Sequence, residues 1–209
     1  MTTHDGGTGL CRPRGDARRR ALLDAAWKLF LDKGYERTTL GDIIALAGGS
    51  RSTLYEAFGD KDGLFETVIG TQCEEFLDRL RQVPLSDADP EVALTGFATR
   101  FAEELFSDVS PKLMRLMIAS GDQFPRVRDA FIDGVPRAVR AILAEYLREA
   151  DGRGQLHVKD PEAAASAFVA LLQGERFIRI LLHPADLPGP DEIRRHVADV
   201  VRIFLDGVR

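Results

Sequence analysis

The sequence lacks the patterns that mark membrane-spanning and disulfide-stabilised proteins. None of its apolar runs approaches the ~18 residues that a helix needs to cross a bilayer. Its two cysteines, Cys11 and Cys73, are far apart in the chain, which excludes a disulfide framework and a zinc knuckle. The start of the chain, MTTHDGGTGL, has no apolar centre of the kind found in secretory signal peptides. We therefore expect a cytoplasmic protein with no membrane partner.

Catalytic and metal-binding motifs are also missing. The four histidines, His4, His157, His183 and His196, belong to a tail, to loops and to the polar side of a helix, and no HExxH pattern is present. The sequence contains no CxxC pair, no glycine pattern of the P-loop type and no carboxylate pair that differs from the ordinary charged surface. We predict that the chain is not an enzyme and uses no metal and no cofactor.

A net positive charge, which nucleic-acid binding often requires, is missing from the chain as a whole, whose formal charge is −5. The charge is, however, unevenly distributed. Residues 1–61 carry ten Lys or Arg and eight Asp or Glu, a net charge of +2, whereas residues 62–209 carry −7. The segment RPRGDARRR contains five arginines and one aspartate. It is either a basic arm that contacts DNA through Arg12 and Arg14, or a solvated leader without a specific role.

The apolar residues recur at helical spacing, with no clear stretch of period two, and predict an all-α fold. A first helix is predicted over residues 18–32, with Gly34 at its end. Thr39 and Asp42 are expected to form a capping box before the second helix, LGDIIALA. The buried side of that helix is predicted to contain Ile43, Ile44, Leu46 and Ala47.

Two glycines, residues 48–49, permit the sharp turn that ends the second helix. Ser50 is predicted to cap a third helix that ends near Phe58. Asp60 is predicted to cap a fourth helix, over residues 60–82. A helix as short as the third is not stable alone in water, so the first two helices must hold it in place. The side chains expected to do so are Leu54, Ala57 and Phe58.

Five further helices are predicted after a break rich in proline and aspartate. Pro136 lies inside the third of these helices, which predicts a kink or a division near Gly134. The five helices are predicted over residues 91–106, 111–120, 125–150, 161–182 and 191–206.

Two short helices joined by a glycine turn form a helix-turn-helix unit, whose second helix typically enters the major groove of DNA. Arg51, Ser52 and Thr53 lie near the start of that helix, on its polar side. Arg51 can donate two hydrogen bonds to guanine or one to a phosphate, and Ser52 is small enough for close approach. The side chains of Thr39, Tyr55 and Lys61 are also suited to contact phosphates, although each of them alone has an ordinary structural role as well.

The run TTLGDIIALAGGSRSTLYEAFGDKDGLFETVI, residues 38–69, closely resembles the DNA-binding domain of TetR-family transcriptional regulators. The resemblance implies an all-helical fold of about nine helices, with an N-terminal three-helix DNA-binding domain and a larger C-terminal domain. It also implies a homodimer that binds a palindromic operator in double-stranded DNA. The positions that it implies face DNA are Thr39, Ser50, Arg51, Ser52, Thr53, Tyr55 and Lys61.

Two residues depart from the family pattern. Gly49 stands where the family usually has valine or a similar apolar residue, so we expect weaker packing of the turn. Glu56 stands where a basic or aromatic residue commonly approaches a phosphate, so we expect it to repel the DNA backbone or to point away from it. Both departures predict that DNA binding is weaker or differently placed.

The remainder of the chain is rich in apolar residues that form either an ordinary core or the lining of a cavity. The segments SGDQFPRVRDAF and QLHVKDPEAAASAFVALLQGERF resemble the AefR-like subgroup of TetR C-terminal domains, which implies a pocket for a small-molecule ligand. The predicted ligand-binding residues are Phe97, Arg100, Phe101, Met114, Met117, Ile118, Phe168, Gln173, Arg176 and Phe177.

The last two helices are predicted to form the homodimer, as they do in the family, although packing within one chain is the alternative. The first contributes a side of small residues, Ala163, Ala164, Ala167, Ala170, Leu171 and Gly174. The second contributes an apolar side, Ile193, Val197, Val200, Val201, Phe204 and Leu205.

We therefore predict a basic flexible leader over residues 1–15, a DNA-binding domain over 16–61 and a ligand-binding and dimerisation domain over 62–209. The predicted function is that of a DNA-binding transcriptional regulator, a repressor that a small-molecule ligand releases. One alternative is a ligand-independent DNA binder or activator with the same fold. The other is a small-molecule-binding helical protein or enzyme with a vestigial helix-turn-helix.

Overall fold

The computed structural model describes residues 12–85 and 89–208. Over these ranges the fold is all-α, with nine α-helices, one 3-10 helix and no strand. The α-helices are α1 (Arg12–Lys33), α2 (Leu40–Ala47), α3 (Arg51–Phe58), α4 (Lys61–Arg81), α5 (Pro90–Leu105), α6 (Val109–Ser120), α7 (Pro125–Gly152), α8 (Pro161–Leu182) and α9 (Pro190–Asp206). The 3-10 helix is Pro184–Asp186. None of the described helices is long and apolar enough to cross a membrane.

The first helix is longer than the sequence predicts. It begins at Arg12 and not near residue 18, because Pro13 falls in the first turn, where a helix tolerates a missing N–H group. Residues 12–15, assigned to the leader from the sequence, therefore belong to α1. The leader residues 1–11 lie outside the described part of the chain, and so do the side chains of Arg12 and Arg14.

The chain divides into two compact units between Gly70 and Thr71, inside α4. In the first unit the start of α4 packs on α1 through three aromatic rings. The centroid of the Phe65 ring lies 5.2 Å from that of Phe30 and 5.0 Å from that of Tyr35. Aromatic pairs in these geometries contribute ~0.5 to 1.5 kcal/mol each beyond the area that they bury. The rings therefore fix the helices that precede and follow α2 and α3.

The second unit is built around apolar side chains from α5, α7, α8 and α9. The Phe168 ring of α8 contacts the Phe204 ring of α9 edge to face, at a centroid distance of 4.9 Å. The apolar side of α9 is thus part of this core, and the prediction that it faces a second copy of the chain is wrong. Its core residues are Val197, Val200, Val201, Phe204 and Leu205, against which Ile193 packs.

Two helix interruptions differ from those expected. α7 continues as one helix through Pro136, so the predicted division near Gly134 is wrong. The backbone leaves the helical region instead at Gly174 in α8, where φ is 49° and ψ is −165°. Glycine adopts a positive φ without the steric penalty that a Cβ atom causes. Gly174 was expected to permit close approach of another helix, but it is needed for the conformation of the backbone at this point.

Candidate nucleic-acid interface

The start of α2 has the predicted capping box. The Asp42 N–H donates to the Thr39 hydroxyl at 3.1 Å, and the Thr39 N–H donates to the Asp42 carboxylate at 3.1 Å. The Thr39 hydroxyl also donates to that carboxylate at 2.9 Å. These bonds from Thr39, with the nearby Lys33 ammonium, lower the pKa of Asp42 below its ordinary value of 3.8. Thr39 is exposed, but its side chain is already used to cap the helix.

The start of α3 has a group of three hydroxyls. Ser50 caps the helix as predicted, because its hydroxyl accepts a hydrogen bond from the Thr53 N–H at 3.3 Å. The same oxygen lies 2.8 Å from the Ser52 hydroxyl and 3.0 Å from the Thr53 hydroxyl. The three hydroxyls thus form one hydrogen-bonded group, in which each oxygen can act as donor or acceptor. They form a polar group at the start of α3, where Ser50 and Ser52 are exposed to solvent.

α3 has one buried residue, Leu54, and two half-buried residues, Thr53 and Phe58. Ala57 is exposed, so the prediction that it holds the helix in place is wrong. Arg51 and Tyr55 are one turn apart on the exposed side, as are Ser52 and Glu56.

Arg51 is exposed at the start of α3, and none of the residues that the structure describes forms a hydrogen bond or ion pair with its guanidinium.

On α2, Leu46 is 51% exposed, so the prediction that it is buried is also wrong.

Lys61 is half-buried at the start of α4 and has two contacts within the first unit. Its ammonium lies 4.0 Å from the centroid of the Tyr35 ring and 3.4 Å from the carbonyl oxygen of Glu36, to which it donates a hydrogen bond. The Tyr35 hydroxyl in turn donates to the Asp62 carboxylate. Burial, followed by this bond, raises the pKa of Tyr35. A phosphate contact by Lys61 would have to share its ammonium with these groups.

Two arginines that the sequence assigned only to the basic segment contact the helix-turn-helix directly. The Arg18 guanidinium lies against the glycine turn before α3, with its Nη1 atom 3.5 Å from the carbonyl oxygen of Ala47. The Arg19 guanidinium lies over the Phe58 ring, 5.1 Å from its centroid. Sequence reasoning missed these contacts, because they join residues about thirty to forty positions apart and have no local pattern.

The predicted ligand-binding residues are not together in one cavity. Phe97, Phe101, Phe168 and Met117 are buried in close packing, whereas Ile118 is 72% exposed and does not fit an enclosed pocket. The Arg100 guanidinium lies 3.6 Å from a Glu104 oxygen on the same helix. The half-buried residues are Arg100, Met114, Gln173, Arg176 and Phe177.

A pocket of ≈ 460 Å³ lies between α8, the 3-10 helix and α9, and one predicted ligand residue, Arg176, lines it. The Arg176 guanidinium is 3.9 Å from a Glu192 oxygen across the pocket. The other lining residues are Gly174, Glu175, Arg179, Asp186, Leu187 and His196. Charges of both signs therefore surround the space. Within the described residues, no group of three or more His, Cys, Asp or Glu side chains could bind a metal ion.

α8 has exposed small and apolar residues before and after its interruption at Gly174, and together they are called its exposed side. Leu171 is 40% exposed, Ile178 58% and Leu182 77%. The exposed small residues between and before them are Ala163, Ala167, Ala170 and Gly174. An exposed apolar surface of this kind typically marks a contact with another protein chain.

Comparison with known protein families gives two matches. Residues 22–68 match the model of bacterial regulatory proteins of the tetR family. Residues 92–207, more than half of the chain, match the C-terminal domain of AefR-like transcriptional repressors. The first match contains α2 and α3, and the second contains the pocket and the exposed side of α8.

Individual proteins show the same similarity. The HTH-type transcriptional repressor ComR of Escherichia coli K12 is 43% identical over 94 residues, which cover 44% of this chain and 45% of ComR. A crystal structure of a TetR-family regulator from Mesorhizobium loti MAFF303099 superimposes with a TM-score of 0.88 at 28% identity, covering 94% of this chain and 99% of that one. The flavonoid-responsive regulator FrrA superimposes with a TM-score of 0.74 at 29% identity, covering 93% and 98%.

Proposed function

This chain belongs to the TetR family of DNA-binding transcriptional regulators, and on that premise we propose that the exposed side of α3 reads an operator and that a small molecule ends this binding. In this role the protein is a repressor whose two copies bind the two halves of a palindromic site. The observation that carries the proposal is Arg51, an exposed arginine at the start of α3 without a partner among the described residues.

Arg51 is the residue that we assign to base reading. Its guanidinium can donate two hydrogen bonds to the edge of guanine in the major groove, where the start of a recognition helix typically lies. Ser52 leaves room for close approach, since its side chain is short. The hydroxyls of Ser50 and Thr53 bond to each other, and the one that accepts this bond can donate its own proton to a phosphate oxygen.

Three residues around α3 are proposed to position the DNA backbone. Tyr55 is 51% exposed one turn beyond Arg51, so its hydroxyl can reach a phosphate beside the groove. Thr39 and Lys61 are at the starts of α2 and α4, where helix N-termini favour anions. Arg12 and Arg14, at the start of α1, stay candidates for further contacts.

The exposed side of α8 is proposed to form the homodimer. Its small residues permit close approach of the same helix from a second copy, and its apolar residues become buried on association. The apolar side of α9 contributes through the core beneath α8 rather than by direct contact. A twofold dimer presents two copies of α3, which explains why a palindromic operator is expected.

The ligand is proposed to bind in the second unit, with Arg176 as one contact. Phe97, Phe101 and Phe168 are close-packed, so an apolar ligand among them would displace core side chains and change the packing of the unit. Because α4 spans the division between the units, a change at its C-terminal part can alter the position of its start. A coupling free energy of ~1 to 3 kcal/mol would weaken operator binding roughly 5- to 150-fold.

The first experiment selects operators from a randomised pool of DNA duplexes with the purified protein. Sequencing is expected to reveal a palindrome, and its affinity should fall steeply between two salt concentrations. Arg51→Ala should then weaken operator binding by ~1 to 3 kcal/mol and leave random DNA nearly unaffected. Arg137→Ala, which removes an exposed arginine of α7, is the matched control. If Arg51→Ala weakens binding to the operator and to random DNA equally, Arg51 contacts a phosphate and not a base.

The second experiment tests the ligand. Flavonoids are the first probe class, because the similar regulator FrrA is flavonoid-responsive. A flavonoid that raises the melting temperature should also weaken binding to the selected operator, and Arg176→Ala should reduce both effects. A compound that stabilises the protein but leaves operator affinity unchanged at saturation would contradict release by that ligand.

A further inference from the structure

Of two consecutive arginines of α1, one contacts the turn before α3 and the other contacts the last residue of α3. Arg18 lies against the turn that leads into α3, and Arg19 lies over Phe58, the last residue of α3. We propose that Arg18 and Arg19 are positioning residues, which set the orientation of α3 and thereby its fit to operator DNA. The proposal rests on the assignment of α3 as the DNA-reading helix.

α3 needs such contacts because little else fixes it. The helix has eight residues, of which Leu54 is buried, and Thr53 and Phe58 are half-buried. An isolated helix of this length is unstable in water, so its position depends on the contacts that it makes with its neighbours. With one fully buried anchor near its middle, α3 can still tilt about Leu54. Contacts at its two ends oppose that tilt.

The Arg18 side chain occupies the space beside the glycine turn. The φ angles of Gly48 and Gly49 are +73° and +116°, which side-chain-bearing residues rarely adopt. A Cβ atom on Gly49 would lie 3.3 Å from Arg18 Nε and 3.4 Å from Cζ. A Cβ atom on Gly48 would lie 3.2 Å from Arg18 Nη1. The guanidinium therefore lies beside a stretch of backbone that has no side chains of its own.

This arrangement explains how the turn is packed although it lacks an apolar side chain at Gly49. Arg18 supplies a contact from α1 on one side of the turn, while Gly48 and Gly49 stay exposed to solvent on the other. A Cβ atom at Gly49 would require Arg18 to shift by a few tenths of an ångström, and a shorter residue at position 18 would remove the contact.

Arg19 acts at the other end of α3 through its guanidinium and the Phe58 ring. The distance of 5.1 Å from Cζ to the ring centroid is within the range of a cation–π interaction. At an exposed site such a contact changes an equilibrium by ~2- to 5-fold. Because Phe58 ends α3, this contact resists fraying of the last turn as well as tilt.

A positioning role and a phosphate contact make opposite predictions for Arg18→Lys. Lysine keeps the positive charge that a phosphate needs, but it lacks the planar group that covers the turn. A phosphate contact is therefore largely preserved by lysine, whereas the packing on residues 48–49 is lost. Arg20→Lys is the matched control, because Arg20 bonds to Asp24 within α1 and lysine can retain an ion pair there.

The experiment measures hydrogen exchange of the α3 amides without DNA, and the affinity for operator and random duplexes at two salt concentrations. For Arg18→Lys we expect ~3-fold or greater acceleration of exchange in α3 and ~3- to 10-fold weaker operator binding. Affinity for random DNA and the salt dependence should stay as in the unchanged protein. Arg19→Leu should accelerate exchange at the end of α3, with Lys28→Leu as the control for loss of one charge on α1.

If Arg18→Lys has the same hydrogen exchange in α3 and the same operator affinity as the unchanged protein, Arg18 is not a positioning residue. For Arg19→Leu, equal losses on operator and random DNA with unaltered exchange would identify a phosphate contact and overturn the proposal. A failure of the unchanged protein to select any operator would contradict the proposed function, while the exchange data would still decide whether the arginines position α3.

A second measurement is independent of DNA. Gly49→Ala and Arg18→Ala should each lower the unfolding midpoint, and the double variant should lose less than the sum, because both changes remove the same contact. Additive losses would contradict contact between Arg18 and the turn.

Discussion

The ring of His196 on α9 donates a hydrogen bond from Nε2 to the carbonyl oxygen of Leu172 on α8, at 2.9 Å. The direction is fixed because a carbonyl oxygen only accepts hydrogen bonds. Leu172 is fully buried and precedes Gly174, where α8 leaves helical geometry. The bond therefore satisfies a buried polar group next to the interruption and ties the two helices together.

Replacement of His196 by phenylalanine should lower the free energy of unfolding by ~1 to 2 kcal/mol, since the Leu172 carbonyl loses its side-chain donor. His196→Gln keeps an amide donor and should lose less. The free energy of unfolding is measured by urea denaturation for the unchanged protein and the two variants, and the comparison requires equal m-values. A phenylalanine variant as stable as the unchanged protein would show that the bond has no net effect.

Glu56→Gln should strengthen DNA binding, because it removes a negative charge from the exposed side of α3. We expect ~2- to 5-fold tighter binding to operator at low salt, with a smaller gain at physiological salt, where screening is stronger. Glu66→Gln, an exposed position on α4, is the control for net charge. If both variants gain equally in filter or fluorescence binding assays, Glu56 has no local effect.

Asp42→Asn should reduce the loss of stability in acid. Because hydrogen bonds from Thr39 lower the pKa of Asp42 in the folded state, its stabilising contribution is complete above the ordinary value of 3.8. That contribution is lost as the pH falls below 3.8 through the lowered value. Melting temperatures between pH 6 and pH 2 should thus decrease less in the variant than in the unchanged protein. Asp32→Asn, an exposed position outside the capping box, should retain the original dependence.

The elements that the sequence predicts correctly depend on neighbours in the chain. Thr39 and Asp42 are three positions apart, and Ser50 caps the helix that it precedes, so their hydrogen bonds follow from local geometry. The recognisable pattern of the helix-turn-helix has the same origin. The segments that contain these residues are also those that the N-terminal family model matches.

The features that the sequence does not predict correctly depend on residues that are far away in the chain. The apolar side of α9 has the same period whether it meets its own core or a second chain, so its spacing alone could not decide between them. Pro136 was expected to kink or divide α7, but the helix continues through it, whereas α8 is interrupted at Gly174. The contact of Arg18 with residues 48–49 likewise has no local signature.

Cys73 should react slowly with iodoacetamide. Burial raises the pKa of its thiol to about 11, so it stays almost entirely protonated at pH 8, and the thiolate is the reactive form. In a Cys11→Ser background, labelling should be roughly a hundredfold faster in urea than in the native state. Equal rates under the two conditions would contradict the burial of this side chain.

Ala170→Glu should separate the proposed homodimer, because it places a charge within the exposed small-residue side of α8. Sedimentation equilibrium is expected to give a dimer for the unchanged protein and a monomer for the variant. Ala141→Glu, at an exposed position of α7, should stay dimeric. A dimeric Ala170→Glu would move the interface to another surface.

The presence of a single buried residue in α3 has a consequence for how this regulator can diverge. Substitutions at exposed positions typically change stability by less than about 0.5 kcal/mol. Arg51, Ser52, Tyr55 and Glu56 are all exposed, so each can be replaced without loss of the buried contact that Leu54 makes. A duplicated gene can therefore acquire a new target sequence by successive viable steps, and the same four positions form a natural set for a library of altered specificity.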